Sequence, residues 1–108
     1  MSKYYNRKVM YKGLVFDSVK ERNYYMYLES LLQAGDITDL RLQVTFELQP
    51  RFKAKNGHII RPITYKADFV YKDKDGQEVI VDVKGYKTEV YKLKKKLMLY
   101  QGYNLVEV

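Results

Sequence analysis

The stretch of this sequence richest in chemistry is Thr64-Tyr-Lys-Ala-Asp68-Phe-Val-Tyr, a short turn, then Glu78-Val-Ile-Val-Asp82-Val-Lys84-Gly85. An apolar strand that carries Asp, one residue and then Lys is unusual, because an unpaired ion inside a sheet is costly to bury. Side chains two residues apart share a face, so Asp82 and Lys84 are neighbours. Register decides whether Asp68 joins them. A three-residue loop, Lys74-Asp75-Gly76, with glycine in the left-handed position pairs Asp73 with Gln77 and sets Asp68 directly opposite Asp82. A two-residue Asp75-Gly76 turn sets Asp68 opposite Val83, on the other face. The three-residue loop is adopted here because it gathers two carboxylates and a lysine.

Two adjacent aspartates repel each other unless a cation lies between them. Oxygen-only ligands favour a hard ion, Mg²⁺ or Mn²⁺. Such an ion polarises a phosphoryl oxygen and lowers the pKa of a bound water. Lys84 could orient that water or neutralise charge on the phosphate. The set suits phosphodiester hydrolysis, and a structural Asp–Lys pair on a partly exposed sheet is the competing reading. Glu21 also has two readings. It shares a helix face with Tyr25, Leu28 and Leu32, from which its carboxylate could reach a metal on the sheet edge. Equally, it is the capping-box partner of Ser18.

The remaining composition narrows the chemistry. The 108 residues include no cysteine and one histidine, His58. Disulfides, thiolate zinc sites and cysteine nucleophiles are thereby removed, and a Ser-His-Asp triad has no support. His58 follows a turn and reads as an exposed loop residue; Glu47 and Glu78 read as solvent-face residues. A net charge of +7 suits a polyanionic partner or simply a solvated basic surface. The excess lies in an N-terminal arm (Lys3, Arg7, Lys8, Lys12) and in Lys84, Lys87, Lys92, Lys94, Lys95 and Lys96. Arg7, Lys8, Lys87, Lys92, Lys95 and Lys96 are therefore candidate phosphate contacts, against ordinary solvation of the same faces. No apolar run approaches the roughly 18 residues of a membrane span, and the basic N-terminus lacks the apolar stretch of a signal peptide.

The elements that must position these groups follow from periodicity. With no repeat or linker, residues 1–108 read as one domain, in which residues 1–12 form a basic arm or loosely held edge strand. Ser18, with Asp17 as a competing N-cap, starts a helix from about Val19 to Ala34, whose Tyr24, Tyr25, Leu28, Leu31 and Leu32 recur at helical spacing. Leu40, Leu42, Val44, Phe46 and Leu48 alternate with polar residues, the mark of a strand with one buried face. Asn56-Gly57 has the chemistry of a tight hairpin turn between strands at 51–55 and 58–63. Strands at 64–72 and 77–84 follow, the last apolar enough to be central. Thr88 caps a helix from about Glu89 to Gln101 with Val90, Leu93, Leu97 and Tyr100 expected inward. Residues 103–108 close the sheet. The order predicts an α/β fold, a mixed β-sheet flanked by helices.

Glu on the first helix, Asp on a strand, then Asp-Val-Lys on the next strand before a lysine-bearing helix resembles the PD-(D/E)XK nuclease superfamily. Phe16-Asp-Ser-Val-Lys-Glu21, Phe46-Glu-Leu-Gln-Pro50, Tyr65-Lys-Ala-Asp68-Phe and Asp82-Val-Lys84-Gly85-Tyr-Lys-Thr88 look like a family of small phage-encoded proteins within it. This resemblance spans about residues 11–107. It implies a restriction-endonuclease-like αβββαβ core and Mg²⁺-dependent DNA cleavage, with Asp68, Asp82 and Glu21 as metal ligands and Lys84 as catalytic lysine. By similarity to Holliday junction resolvases it also implies a homodimer acting on branched DNA, within the cytoplasm of a bacterial host. Ala67 stands where the signature has proline, and the second helix lacks the Gln-x-x-x-Tyr of exonuclease-like branches. Two other readings stand beside this one: a non-catalytic nucleic-acid-binding module on a nuclease-like fold, and a protein-interaction subunit whose basic surface meets an acidic partner.

Overall fold

A computed structural model describes residues 7–108; Lys3 of the basic arm lies outside the described residues. The described residues open with a hairpin, β1 (Val9–Tyr11) and β2 (Leu14–Phe16), where the sequence suggested an arm or a loosely held edge strand leading into a helix. The two turn residues explain it. Lys12 and Gly13 both take positive φ, 51° and 82°, the left-handed pair that closes a two-residue hairpin with the right twist. Helix α1 (Val19–Gln33) starts where Ser18 Oγ accepts the Glu21 N–H at 3.0 Å. Leu32, expected on its inner stripe, is 40% exposed.

The main sheet has four strands in the order β3-β6-β7-β8: β3 (Thr38–Gln49), β6 (Ile63–Lys72), β7 (Glu78–Asp82) and β8 (Leu105–Glu107). The first three run antiparallel, and β8 is parallel to β7. Helix α2 (Glu89–Tyr100), capped by Thr88 Oγ1 on the Tyr91 N–H, makes the connection that a parallel pair requires. Between β3 and β6 the chain leaves the sheet as a short ribbon, β4 (Phe52–Lys53) with β5 (Ile59–Ile60). Its loop is three residues, Lys55-Asn56-Gly57, and not the two-residue turn that Asn56-Gly57 suggested. Ala54 N–H donates to His58 O, Gly57 N–H donates to Ala54 O, and Gly57 sits at φ 90°. His58 is exposed, as are Glu47 and Glu78.

Two cores cover the two faces of the sheet. Leu28 of α1 packs with Phe16, Ile37, Phe69, Val79 and Val81. Tyr91 and Met98 of α2 pack with Tyr65, Ala67, Val70 and Ile80. The stripe expected inward on α2 is therefore offset by one residue. Val90, Leu93 and Tyr100 are 61%, 57% and 88% exposed, while Tyr91 and Met98 are buried. A hydroxyl bond from Tyr91 to Glu107 on β8, at 2.6 Å, accompanies that orientation; apolar spacing alone does not register such a bond.

Strand β3 does not present one buried face. Leu40 and Leu42 pack with the α1 core, whereas Val44, Phe46 and Leu48 pack with the α2 core. Residues two apart share a face only in a regular strand. The break falls at Gln43, whose φ is 54°. Its partner strand changes allegiance at the same level, between Phe69 and Ala67. The acidic residues gather at this crossing.

Candidate active site

The loop after β6 sets the register. Gly76 takes φ 80°, Gly76 N–H donates to Asp73 O, and Asp73 N–H donates to Gln77 O. Asp73 Oδ1 accepts the N–H groups of Asp75 and Gln77, both at 2.9 Å, and holds the loop shut. Pairs from Lys72–Glu78 to Phe69–Val81 follow, and one further step places Asp68 opposite Asp82. This is the register expected from the three-residue loop. Backbone groups lock the two aspartates together: Asp68 N–H donates to Asp82 Oδ1 at 3.3 Å, and Val83 N–H donates to Asp68 Oδ2 at 2.9 Å.

Asp82 is 0% exposed, and its Oδ2 has no hydrogen-bond partner. Burial pushes its carboxyl above the ordinary range, opposed by the charge of Lys84. A buried carboxylate oxygen without a partner is a costly arrangement, and a cation is the kind of group that satisfies it. Glu21 arrives from α1. It is 6% exposed, and its carboxyl is pushed up to about 7, first by burial and then by the charge of Asp68. The Glu21 N–H caps onto Ser18 while its carboxylate accepts from Gln43, so the residue combines helix capping with a place at the acidic cluster.

Gln43 joins the acids. Pairs on either side, Leu42 with Phe69 and Val44 with Ala67, put it across from Asp68. Its Nε2 donates to Glu21 Oε2 at 3.1 Å and reaches Asp68 Oδ1 at 3.4 Å. An amide N–H₂ thus lies between two carboxylates. Among the described residues no three of His, Cys, Asp and Glu are grouped closely enough to hold an ion. The donor set that fits a hard divalent ion is the aspartate pair, with Glu21 held beside it through the amide.

Lys84 follows the end of β7, with its N–H still in the ladder to Val108 O at 3.2 Å. Its ammonium lies 4.6 Å from the centroid of the Tyr91 ring and forms no carboxylate ion pair within 4 Å among the described residues. Tyr91 is anchored in turn. Its hydroxyl donates to Glu107 Oε2, and Glu107 Oε1 accepts from Lys95 at 2.8 Å and Lys87 at 3.2 Å. Those partners, Lys95 first, hold the Glu107 carboxyl down to about 2. Burial and the Glu107 bond keep the Tyr91 phenol far above its usual range, so it stays protonated.

The candidate phosphate contacts divide accordingly. Lys87 and Lys95 are engaged with Glu107, Lys92 pairs with Glu89 at 3.1 Å, and Lys8 pairs with Asp17 at 2.7 Å. Lys96 and Arg7 are exposed and outside any ion pair among the described residues. Gln43, Tyr91 and Glu107 escaped the sequence reading. Gln43 occupied an ordinary polar position of an alternating strand, Tyr91 lay one residue off the expected helix face, and Glu107 carried no motif.

No curated protein matches the chain. A family model does match, over residues 1–108 and so over all the elements that build this site. The chain therefore belongs to the family described as protein of unknown function, DUF1064.

Proposed function

We propose that the protein is a Mg²⁺-dependent endodeoxyribonuclease, with Mn²⁺ able to substitute, acting on branched DNA such as Holliday junctions. The observation that carries the reading is the buried, unpartnered Oδ2 of Asp82 beside Asp68 in a locked antiparallel register. The order α1, β3, β6, β7, α2, β8 around one mixed sheet supports a restriction-endonuclease-like αβββαβ core.

In this mechanism Asp68 and Asp82 would hold a Mg²⁺ ion, beside which Glu21 completes the acidic wall from α1. Bound there, Mg²⁺ would polarise the scissile phosphate and lower the pKa of a water. Lys84 bears on the phosphate and offsets its developing charge. Tyr91 keeps that ammonium in place through its ring face, and the Glu107 bond keeps the ring in place. The enzyme of this proposal works as a homodimer on DNA in the host cytoplasm. No helix among the described residues is long and apolar enough to cross a membrane.

The test is cleavage of a labelled four-way junction beside a matched linear duplex, with Mg²⁺ or EDTA, by wild type and Asp82→Ala. Paired cuts on opposite junction strands, dependent on Mg²⁺ and abolished in Asp82→Ala, are expected. Intact DNA in every lane would sink the enzymatic reading; a gel shift retained by both proteins would then favour a binding module.

A further inference from the structure

The ribbon between β3 and β6 belongs to neither core. From Pro50 to Ile63 every residue except Ala54 is exposed. The stretch from Pro50 to Ala67 carries Arg51, Lys53, Lys55, Arg61 and Lys66 and no acidic residue. Its apolar members are also turned outward: Phe52 is 47% and Ile59 49% exposed. Among the described residues none of its five cations forms an ion pair. In contrast Lys8, Lys12, Arg41, Lys74, Lys87, Lys92 and Lys95 are all matched with carboxylates. Half of the fourteen Lys and Arg elsewhere among the described residues are thus matched, against none of the five on this stretch.

Keeping this segment in a defined shape takes specific interactions. Gly57 adopts φ 90°, Asn56 Oδ1 accepts the His58 N–H at 3.0 Å, and Gln49 Nε2 reaches Arg61 O at 3.4 Å. A two-stranded ribbon is one of the two shapes that the major groove of B-form DNA admits. The ribbon also stands at a useful distance from the acids. Ile63 begins β6 and Asp68 lies five residues on, roughly 17 Å along the strand. That is about half of the 34 Å turn of a duplex.

We propose that the β4–β5 ribbon is a DNA-gripping arm: Arg51, Lys53, Lys55 and Arg61 contact the phosphates flanking the major groove of duplex DNA, within one turn of the bond facing Asp68 and Asp82. The arm rests on the reading of DNA as substrate and adds where the duplex beyond the cut is held. Positive charge and ribbon shape together select this partner; a merely solubilising surface calls for neither the unpaired clustering nor the ordered turn.

Charge-matched variants decide it. Binding of a linear 30-mer duplex is measured by fluorescence anisotropy across a salt series, in EDTA, for wild type, Lys53→Gln/Lys55→Gln and Lys72→Gln/Lys74→Gln. The second pair sits at the opposite end of β6 and removes the same charge. The arm variant is expected to weaken binding at least tenfold and to lower the salt slope by about 2, near 0.9 for each phosphate no longer neutralised. The control variant should change the slope by less than half as much. Equal effects of the two doubles, or an unchanged slope in the arm variant, would overturn the proposal. So would equal competition by duplex RNA, whose narrow major groove excludes a ribbon. A wild type that binds through the arm but cleaves nothing with Mg²⁺ would remove the nuclease reading and uphold the arm. Full cleavage with arm-independent binding would do the reverse.

Discussion

At the scale of single residues the site is held together by groups that stability alone would not select. Asp82 is fully buried with one oxygen unpartnered, and Gln43 occupies a left-handed conformation at φ 54°. Positive φ costs a non-glycine residue on the order of 1–2 kcal/mol, and unmet or strained groups of this kind concentrate at functional sites. Asp82→Asn removes the buried charge while keeping the shape. It is expected to raise stability by about 1 kcal/mol in urea denaturation while abolishing Mg²⁺-dependent cleavage. Lower stability with cleavage retained would mean that Asp82 is a structural residue. The aspartates and Lys84 were legible in the sequence because charge in an apolar strand is conspicuous. Gln43 was not, because its backbone angle follows from how β3 passes between two cores.

At the scale of elements, one hairpin loop determines whether the site exists. Gly76 sits at φ 80° with no heavy atom within 4 Å of where a Cβ would stand. The penalty of Gly76→Ala is therefore backbone strain alone, about 1–2 kcal/mol. A chemical melt should show that decrease, and cleavage should fall with it only as far as the register slips. An alanine variant as stable as wild type would mean that Asp73, through its bonds to Asp75 and Gln77, sets the loop without glycine. Turn chemistry left two forms of this loop, Lys74-Asp75-Gly76 or Asp75-Gly76, and the convergence of two carboxylates and a lysine chose between them. Orientation of α2 was not readable. Apolar spacing favoured Val90, Leu93 and Tyr100, but Tyr91 and Met98 are the buried pair, with Tyr91 bonded to Glu107, seven residues past the helix end.

At the scale of the whole molecule, the buried acids link stability to pH. The Glu21 carboxyl titrates near 7 in the fold against an ordinary value of 4.5. Between those values the folded chain binds more protons than the unfolded one, so stability falls as pH rises from about 4.5 to 7. The span corresponds to an order of 3 kcal/mol. Glu107, held down to about 2, acts oppositely, its contribution being present above pH 4.5 and lost only as pH falls toward 2. Melting temperature in EDTA should therefore decline across pH 4.5–7 for wild type, and Glu21→Gln should flatten that decline. Equal slopes for both proteins would refute the assignment to Glu21.

By itself the sequence determined the local elements: two capped helices, the apolar central strand and a glycine loop at Gly76, one of whose two forms opposes Asp68 to Asp82. Each depends on residues a few positions apart, whose backbone preferences and hydrogen bonds are local. Only the tertiary structure decided which lysines pair with Glu107, where β3 changes cores, how Gln43 comes to lie between Glu21 and Asp68, and that the β4–β5 ribbon keeps its charge unmatched. Those depend on contacts between distant segments, where packing and pairing across the fold outweigh what any window of sequence prefers.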